Sequence, residues 1–369
     1  MPKLVLLSLI MLCFSWIIYV ICNMMDLFIL PSYQNYEECE VIQTNGSLED
    51  ITFYGNIAIG GEDDRVPLFT ESFAASKRKE GRLLAIDIGS KSTYEIPIHN
   101  FPKEIGFHPH GLFLFKNETL YILNHAFNRG GERVEVIKLQ ENEGKIEATY
   151  LRSIVFDDEF IAQFNDLAVI DEDEFYITQS IPYNESPEGL DLSGWHQAKM
   201  FLTMQFTKSC NLYYCKNVNG KADCKSQDKS NLYNGINILG STLYVTESVL
   251  KQIITYNITE DRSLKFIESF NVLFHPDNIE VSDEPNILYV AGFSKISELA
   301  DFMEKLKTVK YPELSSGVYK LNHTIGDVSK KNMIMQKKMP ISVAAAKNNT
   351  FIIGSFTHDM VMICPIKQS

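Results

Sequence analysis

Side chains that offer oxygen or nitrogen atoms recur at the start of short apolar segments in this 369-residue chain. Five such segments share one pattern and read His110-Gly111-Leu112, Asn165-Asp166-Leu167, Asn234-Gly235-Ile236, Asp277-Asn278-Ile279 and Ser342-Val343. A second apolar run follows each of them about ten residues later, which indicates a repeated strand–turn–strand unit. This repeat is typical of a propeller, whose innermost strands line a central channel. The polar side chains at the strand starts would then converge on the axis.

The chemistry that fits these positions is calcium binding, once Glu49 and Asp50 before the first strand pair are included. Calcium accepts about six to eight oxygen atoms from carboxylates, amides and carbonyls. Adjacent residues on a strand point to opposite sides, so neighbouring polar pairs can serve two stacked ions. The first predicted ion takes Glu49, Asn165, Asn234, Asp277 and Asn278, and the second takes Asp50, Asp166 and a carbonyl near Leu112. Neither set contains His or Cys, which disfavours zinc. The alternative is that these residues are ordinary turn residues.

One large β-domain is expected to position these strands. A third strand can be placed after each strand pair, at Arg82–Ile88, Arg133–Leu139, Cys210–Cys215, Ile253–Ile258, Gly317–Asn322 and Met360–Ile366. The sequence therefore predicts an all-β fold, a six-bladed β-propeller over residues 39–369. Helices inserted at Leu190–Phe206 and Ile296–Leu306 are expected to cover one face. They form a functional lid or membrane-facing platform, or they simply pack on the propeller.

The N-terminus predicts a membrane segment, because Leu4 to Met25 contains no charged residue. As a helix this stretch rises about 33 Å, enough to cross the hydrocarbon core. We therefore expect an uncleaved signal-anchor in residues 1–26 and a linker in residues 27–38, with a cleaved signal peptide as the alternative. Lys3 and Asp26 orient the body toward the endoplasmic reticulum lumen or the cell exterior.

Composition and sequons agree with a body on that side of the membrane. The net charge of −13 lacks the basic surface that nucleic acid needs, so no nucleic-acid partner is expected. Six N-x-S/T sequons predict glycosylation at Asn45, Asn117, Asn184, Asn257, Asn322 and Asn348.

The cysteines suggest disulfides that an oxidising compartment allows. Cys215 and Cys224 flank Asn219-Gly220 symmetrically, and a tight hairpin there would place them opposite each other. Cys210 is a rival partner or a free thiol. Cys39 and Cys364 lie near the two ends of the body, where a bridge would close the ring. The alternative is two unpaired buried cysteines.

Several separated motifs resemble those of the paraoxonase/arylesterase family. They are Phe107-His108-Pro109-His110-Gly111, Asn124-His125, Phe164-Asn165-Asp166, Asn234-Gly235-Ile236-Asn237 and Asp277-Asn278-Ile279. Their order and rough spacing match from Cys39 to Cys364. The resemblance implies a six-bladed propeller with a structural and a catalytic calcium ion, and hydrolysis of lactones and aryl esters. It also implies an uncleaved N-terminal segment and one disulfide between the two ends of the body.

Carried over by motif, the resemblance assigns roles to single residues. The residues of the first set correspond to the catalytic calcium ligands, and those of the second set to the structural site. His110 resembles the base that activates water, and His125 its orienting or relaying partner. The turn Tyr54-Gly55-Asn56 and the stretch Gly292-Phe293-Ser294 depart from the family pattern. These departures put the substrate preference in question, because both regions shape the wall of the pocket.

Two functions are therefore carried forward. The first is a calcium-dependent esterase or lactonase that acts on a small-molecule ester and is anchored by its N-terminus. The second is a non-enzymatic assembly factor or chaperone for membrane proteins such as ion channels, in which calcium is structural. Turnover that a chelator abolishes would distinguish the first from the second.

Overall fold

Apolar residues that alternate with polar ones, broken by Gly- and Asn-containing turns, form most of the regular structure as β-strands. The computed structural model describes residues 2–28, 39–70, 79–126, 129–157, 164–183, 193–324 and 327–366. The fold is all-β with a few helices. The helices in these ranges are α1 (Pro2–Met24), α2 (Val66–Thr70), α3 (Gly194–Phe206) and α4 (Ile296–Lys305).

The strands follow the chain in groups of four. In the first half they are β1 (Glu40–Gln43), β2 (Ser47–Tyr54), β3 (Ile57–Asp63), β4 (Arg82–Asp87), β5 (Ser92–Ile96), β6 (Ile98–His99), β7 (Pro109–Phe115), β8 (Thr119–Ala126), β9 (Gly131–Asn142), β10 (Lys145–Val155), β11 (Phe164–Asp171) and β12 (Glu174–Gln179). In the second half they are β13 (Cys210–Val218), β14 (Lys221–Ser230), β15 (Tyr233–Leu239), β16 (Thr242–Glu247), β17 (Gln252–Ile258), β18 (Leu264–Asn271), β19 (His275–Val281), β20 (Ile287–Phe293), β21 (Ser315–Thr324), β22 (Asp327–Lys338), β23 (Val343–Lys347), β24 (Thr350–Gly354) and β25 (Met360–Pro365).

Antiparallel pairing gathers these strands into separate sheets in a propeller-like arrangement. Four sheets have four strands each, in the orders β2-β3-β4-β5, β15-β16-β17-β18, β19-β20-β21-β22 and β1-β25-β24-β23. A nine-stranded sheet combines β7 to β10 with β11 to β14 and the short β6. Its two halves are joined by a single parallel residue pair, Val155 with Lys221. The first strands of the units contact one another in a closed circle, and we call them the circle strands. They are β2, β7, β11, β15, β19 and β23.

The two ends of the domain meet in one sheet. Strand β1 pairs antiparallel with β25, as Glu40 with Ile363 through Gln43 with Met360. Next to this pair, a disulfide joins Cys39 to Cys364. The sequence predicted both the outer strand near Cys39 and this bridge. A second disulfide joins Cys215 to Cys224 across β13 and β14, and it leaves Cys210 as a buried free thiol.

The core lies mainly between neighbouring sheets. Buried apolar residues from the faces of adjacent units form several clusters, such as the one that joins Ile59 and Leu83 to Leu112 and Ile122. Helices α2, α3 and α4 come after β3, β12 and β20, respectively. The last residues of these three strands pair with the first residues of circle strands. The three helices therefore lie at the same end of the domain. The predicted inserts match α3 and α4, although residues 190–192 of the first insert lie outside the described ranges. Phe302 of α4 is fully buried against Leu306 and Leu314.

The segment after α1 is held against this end of the domain by a buried carboxylate. Asp26 lies 2.6 Å from His275 Nε2, forms an ion pair with Lys251 and accepts a hydrogen bond of 3.2 Å from Ile296 N. None of the helices in the described part of the chain combines the length and apolar character that a bilayer-spanning helix needs. Membrane anchoring through residues 1–26 stays a prediction from the sequence.

Most of the predicted glycosylation sites are accessible. Asn45, Asn117, Asn322 and Asn348 are exposed, and Asn257 is half-buried. Asn184 lies outside the described residues. Attachment of glycans stays a prediction.

Candidate functional site

A β-bulge at the same place in five of the circle strands positions the candidate site. In β2, Leu48 pairs with Glu62 and Ile51 with Gly60, so β2 advances three residues while its partner advances two. The same shift occurs in β7, β11, β15 and β19. The two residues in each bulge are Glu49-Asp50, His110-Gly111, Asn165-Asp166, Asn234-Gly235 and Asp277-Asn278. Strand β23 of the last unit pairs regularly and has no bulge.

These bulges explain the recurring sequence pattern. Adjacent residues were expected to diverge because a regular strand alternates its sides. The strands are irregular at these residues, and a bulge re-aims the side chains that it contains. Glu49 and Asp50 nevertheless meet different partners, Asn278 and the Leu112 N–H. The glycines have a separate reason, because a Cβ at Gly111 would lie 2.8 Å from Asp166 Cα and one at Gly235 would lie 2.5 Å from Asn278 Cα. Neighbouring strands approach too closely there for any larger residue.

The residues predicted to hold the first ion lie close to one another. Asn278 Nδ2 donates to Glu49 Oε1 at 2.9 Å and to the Glu49 carbonyl at 3.0 Å, which joins the fifth unit to the first. Asn165 Nδ2 lies 3.3 Å from His110 Nε2, and that nitrogen lies 3.9 Å from Glu49 Oε2. A further hydrogen bond links the side chains of Asn234 and Asp277.

Four of these five residues each present a buried oxygen that has no hydrogen-bond partner. The atoms are Glu49 Oε2, Asn165 Oδ1, Asn234 Oδ1 and Asn278 Oδ1. Leaving one buried polar atom unsatisfied costs about 1–3 kcal/mol, so four of them in one place need an explanation. A hard cation that accepts carboxylate and amide oxygens together satisfies them, and calcium is such a cation. The residues present therefore fit the metal that the sequence predicted.

The second predicted set is arranged differently. Asp50 Oδ2 accepts a hydrogen bond of 2.6 Å from Leu112 N, and Asp166 Oδ2 accepts one of 2.9 Å from Ile236 N. Each carboxylate thus bridges to the next circle strand through a backbone N–H. Leu112 contacts Asp50 through its N–H, and the use of its carbonyl as a calcium ligand stays a prediction.

Within the described ranges, no three side chains drawn from His, Cys, Asp and Glu form a metal-binding group. The first predicted set of calcium ligands does not form such a group, because Glu49 and Asp277 are its only carboxylates and its other members are asparagines.

Burial of several carboxylates in one place strongly disfavours their charged forms. Burial, followed by repulsion from Glu49, raises the pKa of Asp50 to about 8. Burial is also the main cause that raises the pKa of Glu49, Asp166 and Asp277. Glu280, three residues beyond Asp277, is affected by the same group of carboxylates. Burial and the charges of Asp50 and Asp166 raise its pKa well above the usual range. A divalent cation would offset this repulsion.

Arg65 is a buried cation beside these carboxylates, and the sequence analysis did not identify it. Its Nη1 donates to the Ser47 carbonyl at 2.8 Å, and its Nη2 donates to the Pro109 carbonyl. These carbonyls lie just before Glu49 and His110 in the chain, so the guanidinium ties together the starts of β2 and β7. Burial lowers the pKa of Arg65 to about 10, while its charge opposes the rise in pKa at Glu49.

The two histidines that the family resemblance selected are neighbours. The rings of His110 and His125 are 4.6 Å apart between centroids and tilted by 46°. His110 is half-buried and His125 is nearly buried. His125 also faces a carboxylate that the sequence did not single out, because its Nδ1 lies 3.0 Å from Glu132 Oε1. The arrangement places a histidine pair beside a cluster of oxygen atoms, which is suited to activating water next to a bound cation.

Comparison with known proteins identifies the family. The family model described as Arylesterase matches residues 65–302 of the chain. The chain belongs to the paraoxonase/arylesterase family. No curated protein matches it.

Two solved structures are similar to the chain at low sequence identity. The X-ray structure of a hypothetical selenium-binding protein from Sulfolobus tokodaii is 11% identical with a TM-score of 0.45, covering 79% of this chain and 68% of that chain. The crystal structure of a putative 6-phosphogluconolactonase from Bacteroides fragilis is 11% identical with a TM-score of 0.41, covering 88% of this chain and 89% of that chain. Likenesses this remote say nothing about activity.

Proposed function

We propose that the protein is a calcium-dependent hydrolase of small-molecule esters or lactones. The observation that supports it most is the set of four buried, unpartnered oxygen atoms beside a histidine pair. Membership of the arylesterase family supports ester hydrolysis in general. We also propose that the units around the closed circle are the six blades of a propeller, with the candidate site in its central channel.

The proposed roles follow from which atoms face the cluster. Glu49, Asn165, Asn234, Asp277 and Asn278 would hold one calcium ion, with Asp50, Asp166 and the Leu112 carbonyl as candidates for a second ion. When bound, the first ion supplies Lewis-acid polarisation of the ester carbonyl and stabilises the developing oxyanion.

The histidines would handle the proton. His110 Nε2 faces Asn165 and Glu49, so it is the nitrogen placed to take a proton from water beside the ester. The attacking hydroxide adds to the acyl carbon, and the proton is returned to the alkoxide that leaves. His125, packed against His110, would orient that ring or share the proton.

The location of the protein is also a proposal from the sequence. Six sequons and two disulfides are suited to the lumen of the secretory pathway or the cell exterior. Attachment to a membrane through residues 1–26 is proposed from sequence alone.

Hydrolysis of a lactone panel and of phenyl acetate by the purified full-length protein tests this function. We expect turnover that EGTA abolishes and calcium restores. Asp277→Ala should abolish it, whereas Asp223→Ala, an exposed position on β14, should leave it unchanged. Absence of turnover in protein that still needs calcium to fold would refute the hydrolase and favour the assembly-factor role. Full turnover in Asp277→Ala would refute the metal assignment.

A further inference from the structure

A buried carboxylate, Glu132, contacts the second histidine of the pair. Glu132 on β9 is directly opposite His125 on β8 in the strand register. Its Oε1 is 3.0 Å from His125 Nδ1, an ion-pair contact. Glu132 is only 2% exposed, and His125 is 9% exposed.

The position of His125 is fixed from two directions. Its backbone N–H donates to the His108 carbonyl at 3.0 Å, which links β8 to the segment just before His110. Its ring packs against the ring of His110 at 4.6 Å between centroids. His110 in turn reaches Asn165 at 3.3 Å. A continuous series of contacts therefore runs from Glu132 through the two rings to the cation cluster.

We propose that Glu132 is a positioning residue for the hydrolysis, acting through His125 on His110. This inference rests on the proposed function and adds a carboxylate to the histidine pair. With Nδ1–H directed at Glu132, the neutral form of His125 has its lone pair on Nε2, the nitrogen that can accept a proton. A proton taken from water by His110 can then pass to His125, whose ring the contact with Glu132 holds in place. The same proton returns through His110 to the leaving alkoxide, so no net charge is created.

This role differs from a structural ion pair in what it predicts. A carboxylate that only held β8 against β9 would affect stability but would leave the rate per folded molecule unchanged. A carboxylate that orients a base changes the chemical step. Carboxylates that orient an active-site histidine in this way affect kcat strongly in other hydrolases. The substrate-binding groups and the proposed cation ligands are untouched, so KM and calcium binding should change little.

The experiment compares Glu132→Gln with wild-type protein in kcat, KM and the pH–rate profile. Gln keeps the size of the side chain but loses its charge. We expect kcat to fall by about 10- to 100-fold with KM within about twofold. The pH–rate profile should also shift, because the amide no longer stabilises a positive ring. Glu132→Asp should recover part of the rate. Glu141→Gln, an exposed position on the same strand, is the matched control and should behave as wild type.

A second measurement does not depend on activity or on the variant folding. The ¹⁵N NMR spectrum of the histidine rings in wild-type protein should show His125 protonated at Nδ1. Protonation at Nε2 alone would overturn the proposal. Unchanged kcat and pH profile in folded Glu132→Gln would also overturn it while leaving the hydrolase function intact. Absence of turnover in the wild type would instead refute the proposed function, and the role of Glu132 with it.

Discussion

Removal of divalent cations should destabilise the domain, and more so at high pH. The four buried oxygen atoms without partners would lose their ligand, at about 1–3 kcal/mol each, so about 4–12 kcal/mol in sum. That is comparable to the whole stability of an ordinary domain, about 5–15 kcal/mol. The chelated protein should therefore be close to unfolding.

The pH dependence follows from the raised pKa values. Asp50 has a pKa of about 8 without a cation, against an ordinary value of about 3.9. The metal-free fold is therefore fully favoured below about pH 4, and it loses stability as the pH rises toward 8, because the folded state binds more protons than the unfolded chain. At about 1.4 kcal/mol for each tenfold change in the acid constant, this difference in pKa gives an upper value of about 5 kcal/mol for Asp50 alone.

The assay is thermal unfolding at pH 5 and pH 8, in EGTA and in millimolar calcium. In EGTA the Tm should be lower at pH 8 than at pH 5 by about 10 °C. Calcium should raise the Tm, with the larger increase at pH 8, where it replaces the protons that Asp50 and its neighbours have lost. Magnesium is the matched control and should stabilise less, because it demands a smaller octahedral site. A Tm in EGTA that rises with pH, or that calcium does not change at pH 8, would refute the reasoning.

Three further predictions concern the parts that position the site. Asp26→Asn removes the buried carboxylate that pairs with Lys251 and His275 and should cost about 3 kcal/mol in urea unfolding at pH 7. An unchanged midpoint would contradict the ion-pair role. Replacing Cys39 and Cys364 by Ser should lower stability by up to about 5 kcal/mol, and equal melting of oxidised and reduced wild type would argue against it. Gly111→Ala places a Cβ 2.8 Å from a backbone atom of the next circle strand, and it should remove the stabilisation of the fold by calcium. Gly194→Ala is the control, because its Cβ meets nothing within 4 Å. Full calcium stabilisation of Gly111→Ala would count against the close packing.

The recurring polar positions could be predicted from the sequence because they follow from local rules. Alternation of apolar residues and turn-forming Asn and Gly residues located β4, β9, β13, β17, β21 and β25 to within a few residues. The pairs Glu49-Asp50 and Asp277-Asn278 stand out because each bulge repeats at the same place in its unit. What the pattern did not reveal was the bulge itself, because register depends on pairing and not on residue type alone.

Residues outside the repeated position could not be found in this way. Arg65 reaches the site from the chain that follows β3, and its place depends on the course of that connection. Glu132 faces His125 only because the hairpin between β8 and β9 pairs those two residues. A hairpin of known length would have suggested that pair, but the turn between these strands has no two-residue Asn-Gly or Asp-Gly signal. The raised pKa of Glu280 likewise depends on carboxylates that are distant in sequence, such as Asp50 and Asp166.

The central claim is that oxygen atoms from distant strands share one divalent cation. Crystals of the calcium-loaded protein, measured with anomalous diffraction, test it most directly. The account predicts an anomalous peak within about 2.3–2.6 Å of oxygen atoms from Glu49, Asn165, Asn234, Asp277 and Asn278. Density with no peak among these residues, and with their oxygen atoms hydrogen-bonded to protein or water instead, would contradict it.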